Sequence, residues 1–204
     1  MRIICSAWEE ETKYLSKEVR EKFIIYHLGI GYLSAALNLQ KIILENKLTE
    51  INFLGTAGLV QNTEEKFSIN DTKVYRIEKS SLLRALTITG SAYTPVTYPS
   101  YSLNNANTNK TLKSLTTANC ISSLEISKSA ELSSKILDSQ SNTEILLENM
   151  ELYGVAKLAS EYQIPCNTFL STSNFTNANA HQDWKENHQK ASEKLCKVFR
   201  DINS

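Results

Sequence analysis

The stretch at 145–159, ILLENMELYGVAKLA, changes hydrophobic period midway and restricts the fold more than any other part of the chain. Ile145, Leu146 and Leu147 form a short apolar run, after which Leu152, Val155, Leu158 and Ala159 recur at helical spacing. A strand that runs into a helix has this pattern. In open α/β sheets ligands bind beyond the carboxyl ends of the strands, so Met150 and Glu151 are expected at the mouth of a crevice. A carboxylate there can accept hydrogen bonds from two vicinal hydroxyls, as a ribose offers. The thioether beside it supplies adaptable apolar surface for a sugar face.

The same alternation recurs along the chain. Apolar runs at 2–7, 22–28, 50–54, 73–77, 120–123 and 167–170 read as strands. Segments 32–48 and 132–137 read as helices, as does a last one capped by Asp183, in which Trp184, Ala191, Leu195, Val198 and Phe199 share a face. Strands alternating with helices predict an α/β protein with a mainly parallel, mixed central sheet covered on both faces, a three-layer αβα sandwich. Its 204 residues suit a single domain, 1–204. Segment 61–72 is a polar loop. Segment 87–119, rich in Ser, Thr, Asn and Tyr with Pro95 and Pro99, reads as an irregular excursion holding one short strand. Lids and specificity loops are commonly built from such segments.

Lys+Arg and Asp+Glu balance at 22 each, so no global field favours nucleic acid or a membrane surface. No apolar run approaches the roughly 20 residues that span a bilayer, and the amino end turns acidic too soon for a signal peptide. A small-molecule partner and a cytoplasmic location are expected. Cys5, Cys120, Cys166 and Cys196 are widely spaced, without a Cys-x-x-Cys pair, and read as reduced core thiols rather than a disulfide or metal site.

Chemistry-bearing residues gather at the expected strand ends. Trp8 is followed by Glu9, Glu10 and Glu11; a second strand runs into Gly29-Ile30-Gly31; a third runs into Gly55-Thr56-Ala57-Gly58. Paired glycines allow backbone to approach a ligand closely. Gly-Thr-x-Gly offers a hydroxyl and N–H groups to an anion or a sugar hydroxyl. With Asn149-Met150-Glu151, and in this order, these motifs resemble the nucleoside phosphorylase and nucleosidase superfamily. The resemblance covers most of the chain and weakens across 87–128. It implies an αβα domain, usually oligomeric, that breaks the bond between a base and ribose with no cofactor beyond phosphate as co-substrate. By the same resemblance Met150 and Glu151 hold the ribose, Gly29 and Thr56 lie on the phosphate or nucleophile side, and Asn149 and Asn174 face the base.

Two departures from the family pattern pull in opposite directions. Asn174 falls where many relatives place an aspartate that protonates the purine; an amide can hydrogen-bond a base but cannot protonate it. That favours attack by phosphate, already an anion. Conversely, phosphate-binding arginines are replaced by Phe53 and the acidic 9–11 run, and Glu11 matches the glutamate that positions water in nucleosidases. Arg20, Arg76 and Arg84 are the remaining candidates for phosphate. No aromatic stands at 126–128 to stack on the base, leaving Tyr93, Tyr98 or Tyr101 as substitutes. A strand pair that many relatives carry between Glu11 and Phe23 is missing. The leading expectation is a purine nucleoside phosphorylase acting on a 6-oxopurine nucleoside, with Asn174 on the base. The alternatives are a hydrolytic nucleosidase of the methylthioadenosine/adenosylhomocysteine type, with Glu11 activating water, and a nucleoside-binding relative without catalysis. His181 is expected to have a structural role, and Trp8 to belong either to the pocket border or to a core or interface.

Overall fold

Ile3 and Ile4 are neighbours in sequence, yet each is fully buried in a different core. Successive side chains of a strand point to opposite faces, so the split shows that the sheet is covered on both sides. The computed structural model describes residues 1–103, 112, 114–139 and 145–204. Its elements are β1 (Arg2–Ser6), a 3₁₀ turn (Glu9–Glu11), α1 (Lys17–Lys22), β2 (Ile24–His27), α2 (Tyr32–Glu45), β3 (Glu50–Leu59) and β4 (Val74–Leu82). There follow α3 (Ala85–Ile88), β5 (Tyr101–Ser102), β6 (Thr117–Ser122), α4 (Ala130–Ser139), β7 (Leu146–Glu148), α5 (Leu152–Glu161), β8 (Cys166–Phe175) and α6 (Ala180–Asn203). Phe53 and Leu170 join Ile3 in the core under α2 and α5, with Leu39 and Val155. Leu54 and Phe169 join Ile4 in the core under α6, with Leu195 and Phe199. This is the expected αβα arrangement.

The sheet is mixed. Its strands run β2-β1-β3-β7-β6-β4-β5, and β8 pairs with both β3 and β4. The pairings β3–β7–β6–β4–β8 therefore close on themselves, with β3–β7, β4–β8 and β4–β5 antiparallel. Closure lengthens several strands beyond the sequence expectation. β3 does not stop at Leu54 but continues through Gly55–Leu59, because β8 supplies partners from Ile51 to Leu59. β8 likewise continues to Phe175, so Thr56 and Asn174 sit within strands rather than in loops after them. β4 extends to Leu82 alongside β6.

Other boundaries moved for local reasons. Helix α2 ends at Glu45, three residues early, since Asn46 is extended and bonds back to Ile42 O. Helix α1 was not expected; only Val19 of its six residues is buried, too little for a periodic signal. It stands where the missing strand pair would have been. Asp183 does not cap α6: it lies inside the first turn, and its carboxylate accepts the Phe67 N–H at 2.9 Å. The excursion at 87–119 holds β5 as its short strand, while 104–111 and 113 lie outside the described residues. All four cysteines are buried free thiols. No helix among the described residues is long and apolar enough to cross a membrane.

Gly154 sets how closely the helices approach. A Cβ on it would lie 2.1 Å from the Tyr32 carbonyl oxygen of α2, and 3.2 Å from Ala36 Cβ. Gly154→Ala must push α5 away from α2, and overpacking of this kind typically costs about 1–3 kcal/mol. Urea unfolding of the variant is expected to show a loss of that size, even though alanine is the better helix former.

Candidate active site

Three carboxylates converge on a single cavity of about 300 Å³, bounded by the carboxyl-terminal parts of β3, β7 and β8, the 3₁₀ turn and the start of α6. Glu11 is the last residue of the 3₁₀ turn, and of the 9–11 run it alone is buried, at 4 % exposure. Its Oε1 accepts the Thr56 N–H at 2.8 Å and the Thr56 hydroxyl at 3.1 Å, and its Oε2 accepts the Ala7 N–H at 2.9 Å. A carboxylate has about four acceptor positions, so three donors leave room for one further proton. Burial first, and the charge of Glu151 second, push its pKa from the ordinary 4.5 up to about 7, against the opposing pull of those donors.

Glu151 stands at the N-cap of α5, and its Oε1 accepts the Gly31 N–H at 2.8 Å. The Gly-Ile-Gly motif makes this contact possible. Gly29 and Gly31 both have positive φ, 84° and 87°, a turn that aims the Gly31 N–H inward. Burial raises the Glu151 pKa as well, opposed by that N–H. Asn149 positions this corner: its Oδ1 accepts the N–H groups of Glu151 and Leu152 at 3.0 and 2.9 Å, and its Nδ2 donates to Thr56 O at 3.0 Å. That side chain, expected against a base, is committed to backbone.

The structure brings Glu11, Thr56, Asn149, Met150, Glu151 and Asn174 to the same cavity. Gly29 is outside its lining; its N–H donates to Ala7 O at 2.9 Å, and Gly31 is the glycine that touches the site. Asn174, 5 % exposed, donates through Nδ2 to Phe175 O at 3.0 Å and accepts the Ser173 hydroxyl at 2.9 Å. Phe175 O can only accept, which fixes which end of the amide faces it. The expected phosphate ligands are elsewhere. Arg20 donates to the carbonyls of Leu15 and Thr12, and Arg76 pairs with Glu78 at 2.9 Å. No lysine or arginine lines the cavity among the described residues.

Residues that the sequence left open complete the walls. Trp8 and Trp184, whose ring centroids are 6.0 Å apart, both border the cavity with Ile30. His181, expected to be structural, also lines it and stacks on Trp184 at 11°. Neither Tyr93, Tyr98 nor Tyr101 does; Tyr101 packs on Tyr153 instead. Glu148 was missed altogether, because a Glu three residues before another reads as ordinary surface charge. No group of His, Cys, Asp and Glu among the described residues is arranged to hold a metal ion.

The chain has the fold of nucleosidases. It matches the Helicobacter pylori 5′-methylthioadenosine/S-adenosylhomocysteine nucleosidase, in an aspartate-to-asparagine mutant with 5′-methylthioadenosine in the active site, at a TM-score of 0.78 and 15 % identity, over 99 % of this chain and 97 % of that one. A futalosine hydrolase mutant of Helicobacter pylori matches at 0.76 and 14 % identity, over 99 % and 97 %. A Borrelia burgdorferi nucleosidase of the first type, described as putative and bound to adenine, matches at 0.74 and 17 %, over 100 % and 99 %. No protein-family model matches the chain, and no curated protein does.

The Glu11 carboxyl makes stability depend on pH. Its folded pKa of about 7 lies above the ordinary 4.5, so the native state holds a proton that the unfolded chain releases between those values. Stability therefore falls as pH rises across that window. Glu11→Gln is expected to lessen the fall, measured by urea unfolding below and above it; an unchanged slope would contradict the assignment.

Proposed function

We propose that the protein is a hydrolytic nucleosidase, cleaving the bond between a purine and ribose with water as nucleophile, in place of the phosphorolysis that the sequence put first. The observation that carries this is the pairing of Glu11 with Thr56. The N–H and hydroxyl of Thr56, the donors expected to cradle phosphate, both point at Glu11 Oε1. A phosphate dianion entering here would meet the buried carboxyl groups of Glu11 and Glu151 with no lysine or arginine among the described lining residues, and anions of this kind need cationic or N–H donors. Neutral water meets no such repulsion.

In this mechanism Glu151 accepts hydrogen bonds from the ribose hydroxyls, with Met150 against the sugar. Cleavage passes through an oxocarbenium-like sugar, which nearby carboxylates stabilise. Glu11 takes the proton of the attacking water, a role suited to a base poised near neutrality. Asn174 hydrogen-bonds the purine, whether it carries a 6-oxo or a 6-amino group. Trp8, Trp184 and Ile30 give the cavity an apolar wall, which fits an uncharged 5′ substituent better than a 5′-phosphate. The structural relatives are described with methylthioadenosine and adenine bound, which supports a purine nucleoside as ligand.

A homo-oligomer fits the outer surface. Leu33, Leu37 and Leu44 are more than half exposed along one side of α2, as is Ile30 just before the helix, and Ile30 also belongs to the cavity wall. A second copy covering these residues would also close the site. The buried, unpaired thiols accord with a reducing, cytoplasmic setting.

These points are open to direct measurement. Base release from a purine nucleoside panel is expected to proceed without phosphate, and to change by no more than about twofold when phosphate is added; an absolute phosphate requirement would overturn hydrolysis. Glu11→Gln should lower kcat by about 10²–10⁴, and the wild-type kcat/KM should rise with pH through about 7 as Glu11 deprotonates. Light scattering should give a multiple of the 23.0 kDa chain mass, reduced to the single chain in Leu37→Glu.

A further inference from the structure

Glu148 is not used in the mechanism above, although it ends β7, is 6 % exposed and lines the cavity. Two serines enclose its carboxyl group. Ser123 Oγ and Ser127 Oγ lie 2.9 and 2.7 Å from Oε1, and the Ser127 N–H donates to Oε2 at 3.1 Å. Counting protons indicates its charge state. Ser123 Oγ also contacts the Glu125 carbonyl oxygen closely, and that oxygen can only accept. The Ser123 hydroxyl has one proton for two acceptors, this carbonyl and Glu148 Oε1. A proton on the Glu148 carboxyl would let both contacts be hydrogen bonds. Burial acts in the same direction and raises the pKa of this carboxyl above the usual range.

Sheet register puts this proton beside the base-facing amide. Gly58 of β3 pairs with Glu148 across β7 and with Asn174 across β8. Paired residues on adjacent strands face the same side, and two strand spacings separate Glu148 from Asn174 by about 10 Å between Cα atoms. Gly58 lets the neighbouring side chains pack directly on β3: a Cβ there would lie 2.9 Å from Asn174 Nδ2 and 3.1 Å from Thr176 Cγ2. Glu148 and Asn174 both line the cavity, so a purine held there meets a carboxyl group and an amide.

We infer that Glu148 is the general acid that protonates the departing purine, the step that Asn174 cannot perform. This rests on the purine-cleaving function proposed above. In the balanced step the water oxygen bonds to the anomeric carbon while Glu11 takes its proton. The bond from that carbon to the purine nitrogen breaks, its electron pair stays on the purine, and Glu148 transfers its proton to a ring nitrogen. Afterwards Glu11 loses a proton to solvent and Glu148 regains one, so the net reaction is nucleoside plus water to ribose plus base.

The test compares Glu148→Gln with wild type on a purine nucleoside and on p-nitrophenyl β-ribofuranoside, whose leaving group needs no proton. The variant is expected to lose about 10²-fold or more in kcat on the purine nucleoside but less than about tenfold on the nitrophenyl riboside, and to lose the alkaline limb of the wild-type pH profile. Activity on the nitrophenyl substrate also shows that the variant is folded. Purine activity within about threefold of wild type, or equal losses on both substrates, would overturn the inference. If the wild-type protein cleaves neither substrate, the hydrolase assignment fails by itself, and Glu148 is then judged by calorimetry with free adenine and hypoxanthine. Binding weakened about tenfold in Glu148→Gln, with loss of the buffer-dependent proton transfer, would uphold the acid; unchanged binding and proton transfer would overturn it.

Discussion

Glu11 is held in the interior by the N–H and hydroxyl of Thr56 and the N–H of Ala7. Taking a carboxylate out of water costs on the order of several kcal/mol, and a hydrogen bond to a charged group offsets about 1.5–3 kcal/mol. Three such bonds could balance the burial of one carboxylate alone. Glu151 shares the cavity, however, and its charge adds to the penalty. The outcome is a carboxyl group with its pKa raised to about 7 and no lysine or arginine among the described lining residues. Burial and like charge set its strength, and the three donors set its place.

That arrangement depends on where β3 lies. The strand pairs with β8 along one side and, at its carboxyl-terminal end, with β7 along the other. Extending β3 to Leu59 carries Thr56 to Glu11 and Gly58 between Glu148 and Asn174. Asn149 ties the same strand to the start of α5, since its amide spans Thr56 O and the first helical N–H groups. Glu11, Glu151 and Asn174 thus hang on one strand, which keeps a site assembled from distant parts of the chain in fixed geometry. Gly154 serves the same end from behind by letting α2, with Gly31 at its N-cap, approach α5, with Glu151 at its own.

The cavity wall combines three buried carboxyl groups with two tryptophans, and Thr56 is occupied by a side chain of the protein itself. Gly-Thr-x-Gly by itself cannot disclose this, because free N–H groups and occupied ones are spelled identically. The expectation that Thr56 and Gly29 lie on the phosphate or nucleophile side came from the family resemblance, with motif chemistry adding support at Thr56. Folding assigned the donors otherwise: Thr56 to Glu11, Gly29 to Ala7, and Gly31 to Glu151.

Local periodicity in the sequence determined the αβα architecture, the strand-to-helix passage at Glu151 and the burial of all four cysteines, because apolar spacing is a property of neighbouring residues. The strand-end position singled out Glu151, and the family resemblance singled out Glu11 and Asn174. Tertiary structure decided the rest. The ends of β3, β4 and β8 were set by partners far away in the chain, which no window of neighbouring residues contains. The same long-range pairing brought Glu148 opposite Gly58 and selected Trp184 and His181, rather than the tyrosines of the 87–119 segment, to line the cavity. A side chain's spacing tells which face it occupies; only the closed circuit of strands determines what stands across from it.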